Sequence, residues 1–320
     1  MKAILGFLVL MSSIAFAQDL SQIGHSAGFM LLDNGKTYTI KSYFDSNGIV
    51  MPQPLGYFTL PEEVEYSGSN YYIDKNDVIH TTDSQGYLYK DMHYLDDYSA
   101  TEAGGVFFFS RKSGSESIAA HIVQTNGVIV THHAEGFELF SDAYKLGGVY
   151  FTDRRGEMYI TNPYDGKLYK GKEDIKVKRK KVVHYGHNYV LMKNGDMIVI
   201  GFVPRTKVDE EGNTYTTHVA NIKKVKGFRN TKKHGGTFFF NSKNELIAIT
   251  DQGEVVNRGK VVITSIEKDK SNEEPELLGT SYFIYDDGEA YMIDKSGYLW
   301  FLKKLPFYER VGITNVPFER

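Results

Sequence analysis

Two histidines recur at one position of a repeated pattern, and that position is the first place to look for chemistry. His25 and His187 share it with Ser69, Gly105, Gly148, Gly236 and Thr280, and Asn70 and Asn188 follow directly. Neutral imidazoles lining a common mouth could hold a metal or hydrogen-bond a small ligand. No Asp or Glu joins the set, which weakens a metal, and short polar residues at strand starts also serve local backbone groups. The expectation is a small-ligand contact by His25, Asn70, His187 and Asn188, with no metal and no cofactor. In His132-His133-Ala134-Glu135, a strand would put His133 and Glu135 on one face. The local sequence offers no third ligand, so these read as solvated rim residues.

Charge supplies the second chemistry. Net charge is −3, but its distribution is uneven. Lys172, Lys176, Lys178, Arg179, Lys180 and Lys181 form one basic run; Lys223, Lys224, Lys226, Arg229, Lys232 and Lys233 form another. The runs fall in neighbouring repeats, so a closed ring could merge them into one patch that attracts polyanions such as anionic glycan. Lys178, Arg179, Lys180, Lys181, Lys223 and Lys224 are the residues expected there. A polar excess in the fifth repeat, residues 204–211, adds Arg205 and Lys207 on a long hairpin tip, the kind of element that contacts partners from a rigid scaffold.

Motifs for catalysis do not emerge. There is no Gly-x-Ser-x-Gly, HExxH or P-loop and no Cys. Asp96-Asp97 and Asp286-Asp287 fall in turns, where Asp serves turn geometry. This weighs against an enzyme, although propeller enzymes can assemble a site from one residue per blade.

The elements that must position these residues announce themselves by repetition. Seven segments carry an apolar run followed by a Gly- or Asn-containing turn: 28–35, 70–77, 105–114, 148–156, 188–195, 236–244 and 281–288. Their step of about 42 residues is that of a four-stranded propeller blade. Runs such as Phe107-Phe108-Phe109 are apolar at successive positions, which means burial on both faces. The 23 Tyr and 20 Phe suit gaps between blades that widen toward the rim. Asn34-Gly35, Arg155-Gly156, Asn194-Gly195 and Asp287-Gly288 are expected to close two-residue hairpins with positive φ at both central residues. The apolar run is expected to open each blade, and segments at Val182-Val183, Ile222 to Val225 and Val261 to Ile266 to supply the remaining strand. β-Sandwich modules would repeat near 100 residues, and nothing here does.

At the level of Asp83 to Tyr89, Asp165 to Tyr169 and Asp294 to Trp300, with their Asp-x-x-Gly-x-Leu-Tyr-like turns, the chain resembles the bacterial exported seven-bladed β-propeller superfamily of quinoprotein-like and NHL/YVTN-like repeats. The Trp-Asp dipeptide of WD40 repeats is absent. The double glycines Gly104-Gly105, Gly147-Gly148 and Gly235-Gly236 open the apolar run, where kelch repeats place them after one. Asp33 to Tyr38 is similar to a sialidase Asp-box but has Leu31 where Ser or Thr belongs. The resemblance implies a fold and no catalytic residues.

The expected fold is therefore all-β: a seven-bladed β-propeller over 18–320 with four-stranded antiparallel blades. Val311 to Val316 is expected to complete the first blade and close the ring, removing exposed edges. Residues 1–17 read as a signal peptide: Lys2, an apolar stretch from Ile4 to Met11, then the Ala15-Phe16-Ala17 cleavage site. The apolar stretch is shorter than the roughly 20 residues a membrane span needs. No transmembrane segment is expected, and the absence of Cys fits a bacterial periplasmic or secreted protein without disulfides. The leading expectation is a non-catalytic, monomeric scaffold for an envelope or extracellular protein or glycan, with nucleic acid excluded as a partner by export. The alternative is a propeller lyase or hydrolase with its site at the channel mouth around His25 and His187. A purely structural envelope component is a third reading.

Overall fold

The computed structural model describes residues 29–31, 36–44, 50–59, 64–68, 71–81, 93–95, 97–114, 118–132, 143–172, 174–261, 273–275, 277–278, 281–285, 289–293 and 296–304. Among them the only helical element is a single 3-10 turn, Arg179–Lys181, and the rest is strand and turn. The first sheet contains β1 (Phe29–Leu31), β2 (Lys36–Phe44) and β3 (Val50–Thr59). The second contains β4 (Val64–Ser67), β5 (Tyr71–Asp74), β6 (Val78–Thr81) and β7 (His93–Tyr94). The third contains β8 (Tyr98–Ala103), β9 (Phe107–Lys112), β10 (Ile118–Val123) and β11 (Ile129–His132), and the fourth β12 (Ala143–Leu146), β13 (Tyr150–Asp153), β14 (Met158–Thr161) and β15 (Leu168–Lys170). The fifth contains β16 (Val182–Tyr185), β17 (Tyr189–Met192), β18 (Met197–Val208) and β19 (Thr214–Val225). The sixth contains β20 (Thr231–His234), β21 (Phe238–Asn241), β22 (Glu245–Ile249) and β23 (Val255–Lys260), and the seventh β24 (Leu277–Leu278), β25 (Tyr282–Ile284), β26 (Glu289–Ile293) and β27 (Leu299–Lys304). Each is an antiparallel meander with strands in chain order, as propeller blades require.

The apolar run is the second strand of each four-stranded sheet, not the first. In β5, β13 and most of β9 every residue is buried, because these strands are covered on both faces. The opening strand is instead a short, half-buried segment such as β16 or β20. Val182-Val183 belongs to such an opening strand, whereas Ile222 to Val225 ends the fourth strand of its own sheet. Of Val261 to Ile266 only Val261 falls in the described residues, and it is buried.

Aromatic rings fill the space between consecutive sheets. Phe107 and Phe109 meet Phe151 at 5.8 and 5.3 Å, and Phe238 and Phe240 both meet Phe283 at 5.4 Å. Each fully buried ring contributes on the order of 2 kcal/mol. Tyrosine adds a polar tie at one end. The hydroxyl of Tyr71 donates to the Gly104 and Phe107 carbonyls, that of Tyr150 to the Tyr189 carbonyl, and that of Tyr189 to the Gly235 and Phe238 carbonyls. Backbone bonds run alongside: Gly105 N–H to Gly147 O, Gly148 N–H to His187 O and His187 N–H to Gly236 O. One sheet is thus stitched to the next at the turn between first and second strands, where the paired glycines leave room.

The turns at Arg155-Gly156 and Asn194-Gly195 depart from the two-residue type, while Asn34-Gly35 and Asp287-Gly288 lie outside the described residues. Gly156 and Gly195 have positive φ, but Arg155 and Asn194 do not. Gly195 N–H donates to Met192 O, and Met192 N–H to Asp196 O, so the loop holds three residues and ends in a left-handed bulge. The residue opening the turn holds it from inside. Asp74 Oδ1 accepts from Asn76 and Val78, Asp153 Oδ1 from Arg155 and Glu157, and Asn241 Oδ1 from Lys243 and Glu245. These acidic and amide residues serve turns, while Asp96, Asp286 and Asp287 lie outside the described residues.

Candidate functional site

Every opening strand from the second to the sixth sheet is bulged. The residue without a partner on the neighbouring strand is Glu65, Thr101, Tyr144, Val183 and Lys233 in turn. A bulge re-aims the side chains around it, and here it gathers polar groups on short strands that touch their counterparts, as β4 touches β8. Burial holds the Glu102 carboxyl above its ordinary value, and burial, then Glu65, Asp77 and Glu102, raises the Tyr66 hydroxyl. His184 on β16 and His234 on β20 stack at 5.0 Å with an interplanar angle of 17°. Burial, and then the neighbouring His234, pushes His184 down to about 4; burial also lowers His234. Both imidazoles are therefore neutral near pH 7. His234 Nε2 lies 2.9 Å from Thr231 Oγ1. Among the described residues no three His, Asp or Glu side chains converge as a metal would need.

Of the ring expected from sequence, His187 and Asn188 fall among the described residues, while His25, Asn70, Ser69 and Thr280 lie outside them, as do His133 and Glu135. The His187 imidazole packs on Gly148: a methyl group there would sit 1.7 Å from Nδ1. Burial alone drives this imidazole down to about 4, although the residue keeps a partial solvent edge. Asn188 is buried and bridges to the next sheet, its Nδ2 donating to the Thr250 carbonyl at 3.0 Å. Its Oδ1 is buried and has no hydrogen-bond partner among the described residues. Both residues join sheets, and the amide has an acceptor to spare.

The two basic runs approach one another. Lys193 N–H donates to Lys181 O, Phe228 N–H to Gly195 O, and Arg229 Nε to Asn194 O at 3.0 Å. The turn Lys193–Asp196 thereby bridges the 3-10 turn Arg179–Lys181 and the segment after β19. Lys178, Arg179, Lys180, Lys181 and Lys224 are exposed and Lys223 half-buried. Lys224 Nζ donates to the Asp174 carbonyl.

The 204–211 excess is the outer part of a hairpin, as expected, with 204–208 in strand and 209–211 in the turn. It belongs to a continuous hairpin in which β18 and β19 pair from Met197↔Val225 to Val208↔Thr214. The tip is a tight turn, with Asp209 Oδ1 accepting from Glu211 and Asn213 and Gly212 at φ 88°. Arg205 and Lys207 are exposed and, pairing with Thr217 and Tyr215, lie on one face with Val203 and Val219. The other face carries Thr206, Val208, Thr214 and Thr216, without a charge. Val208 is 63% exposed, Tyr215 47% and Val219 45%.

Both flanks of the hairpin base are gripped. Tyr164 of the fourth sheet stacks on His218 at 3.8 Å, and its hydroxyl lies 3.1 Å from Asp251 Oδ2 of the sixth sheet. Asn162 Nδ2 donates to His218 O, and Phe202 N–H to Asp251 O. Pro204 occupies the next outward-facing N–H position on β18, a usual place for Pro on an open edge. Sequence reasoning missed this clamp, whose members are separated by up to 87 residues. No family model matches this chain, and no curated protein matches it.

Proposed function

We propose that the chain is an exported, seven-bladed β-propeller that acts as a non-catalytic recognition scaffold, holding a protein or glycan of the cell envelope or its surroundings against the β18–β19 hairpin. The observation that carries this reading is the hairpin itself. Exposed Val, Tyr and Thr on a paired, clamped ribbon present a surface that loses little conformational entropy on binding. Arg205 and Lys207 add an orienting charge on one face. Export rests on residues 1–17, with Gln18 as the first mature residue and the periplasm or exterior as destination.

Ring closure has one support. β27 runs against β3, bringing the last sheet to the first. We assign Val311 to Val316 as the strand that opens the first sheet beside β1. Deleting residues 311–320 should lower the melting temperature measured by circular dichroism. An unchanged curve would remove the closure.

Recognition is tested by capture. Immobilised mature chain should retain a defined set of components from envelope extract. Replacing residues 204–211 by a two-residue turn, or combining Arg205→Ala with Lys207→Ala and Tyr215→Ala, should reduce that set at least tenfold without changing the melting temperature. Equal capture by wild type and both variants would reject the hairpin as the contact.

A further inference from the structure

At the end of β19 remote from the hairpin tip, an open groove of about 400 Å³ lies between the fifth and sixth sheets. That volume is in the lower part of the range of small-molecule sites, about 300–1,000 Å³. Its lining divides into three kinds. Val225, Phe228, Ile247 and Val255 provide apolar surface. Thr231, Asn241, Ser242 and Asn257 provide hydroxyl and amide groups, and Arg229 and Lys243 provide positive charge. Among the described residues no carboxylate lines the groove.

Several of these groups are fixed before any ligand arrives. Phe228 meets Phe239 edge-on at 5.6 Å. The Arg229 side chain is tied through Nε to the Asn194 carbonyl and packs on Gly195, and its Nη nitrogens are left without a partner among the described residues. Lys243 sits on the Asn241–Asn244 turn with its backbone N–H held by Asn241 Oδ1. The Asn257 Oδ1 accepts from Gly259 N–H, so the amide is oriented.

We infer that this groove binds an acidic oligosaccharide, seating a carboxylated sugar ring between the apolar floor and the Arg229–Lys243 pair. A uronic-acid ring carries the three matching features: a C–H face for Phe228 and Val255, hydroxyls for the amides, and a carboxylate for the cations. A guanidinium held at one end can meet a carboxylate in a charge-assisted pair. Lys226 and the Lys193 turn continue the basic rim toward Lys178–Lys181, which favours a chain of several residues over a single sugar. The site shares no residue with the exposed part of the hairpin, so it stands or falls separately from the scaffold reading.

The test is isothermal titration calorimetry of the full mature chain with three probes of matched length: oligogalacturonate, neutral dextran oligomer and polyglutamate peptide. Oligogalacturonate should bind, and Arg229→Ala with Lys243→Ala should weaken it at least tenfold. Lys243→Gln alone, on an exposed turn, should give a several-fold loss with the melting temperature unchanged, which separates binding from folding. Dextran and polyglutamate should each bind at least tenfold more weakly than oligogalacturonate. Failure of oligogalacturonate to bind, indifference to both variants, or equal affinity for polyglutamate would each overturn the assignment.

Discussion

Gly105→Ala should cost about 4 kcal/mol and lower the melting temperature by on the order of 10 °C. A methyl group at this position would stand 2.4 Å from Gly148 Cα and 2.6 Å from its carbonyl oxygen. Both obstacles are backbone, so no side-chain rotation relieves them, and the third and fourth sheets must part. Parting them also stretches the bonds from Gly105 N–H to Gly147 O and from Val106 N–H to Gly148 O, at 3.2 and 2.7 Å. Gly114→Ala is the control. Among the described residues nothing lies within 4 Å of a methyl group there, and the positive φ of 70° resists it, at about 1–2 kcal/mol. Chemical denaturation of the two variants measures the difference. Equal losses would mean that the close approach of the two sheets at Gly105 is not what requires glycine there.

Acid should destabilise the fold between about pH 6.5 and pH 4, before most carboxylates titrate. His184 and His187 have pKa values near 4 in the folded chain because burial disfavours the cation, against about 6.5 when unfolded. Between these values the unfolded state binds more protons, so stability rises with pH across the window. The contribution is complete above pH 6.5, falls as pH drops toward 4, and stays lost below it. Each imidazole contributes at most about 3 kcal/mol. His187→Gln should flatten the pH dependence of the urea midpoint over this interval while lowering stability at pH 7. A midpoint as pH-dependent as that of wild type would show that His187 is not a neutral, enclosed imidazole.

The repeats, the turns and the paired glycines could be read in the chain because each is local. An apolar run with no alternation reports two covered faces, and Asp or Asn before a Gly reports a turn, whatever the surrounding fold. Strand order was less accessible. The run at Phe107 looks like a beginning, yet the half-polar Tyr98–Ala103 precedes it in the sheet, and a segment with one polar residue in two carries a weak signal. Bulges leave no mark at all, since Val183 and Lys233 have nothing in common as residue types. The hairpin was visible as a polar excess at a long tip, but how far the pairing runs toward Val208 was not, because polar residues and Pro204 carry little strand signal. The Tyr164–His218–Asp251 clamp and the groove beside Arg229 and Lys243 depend on residues from different repeats. Only assembled sheets bring them together.

Tyr164 touches a ring on one neighbour and a carboxylate on the other, and this has a mechanical consequence. Force applied at Gly212 does not end in the fifth sheet. It passes through His218 into the fourth and through Phe202 and Asp251 into the sixth. The tip behaves as a cantilever with a broad footing, and its load spreads over three sheets before any one of them is asked to yield.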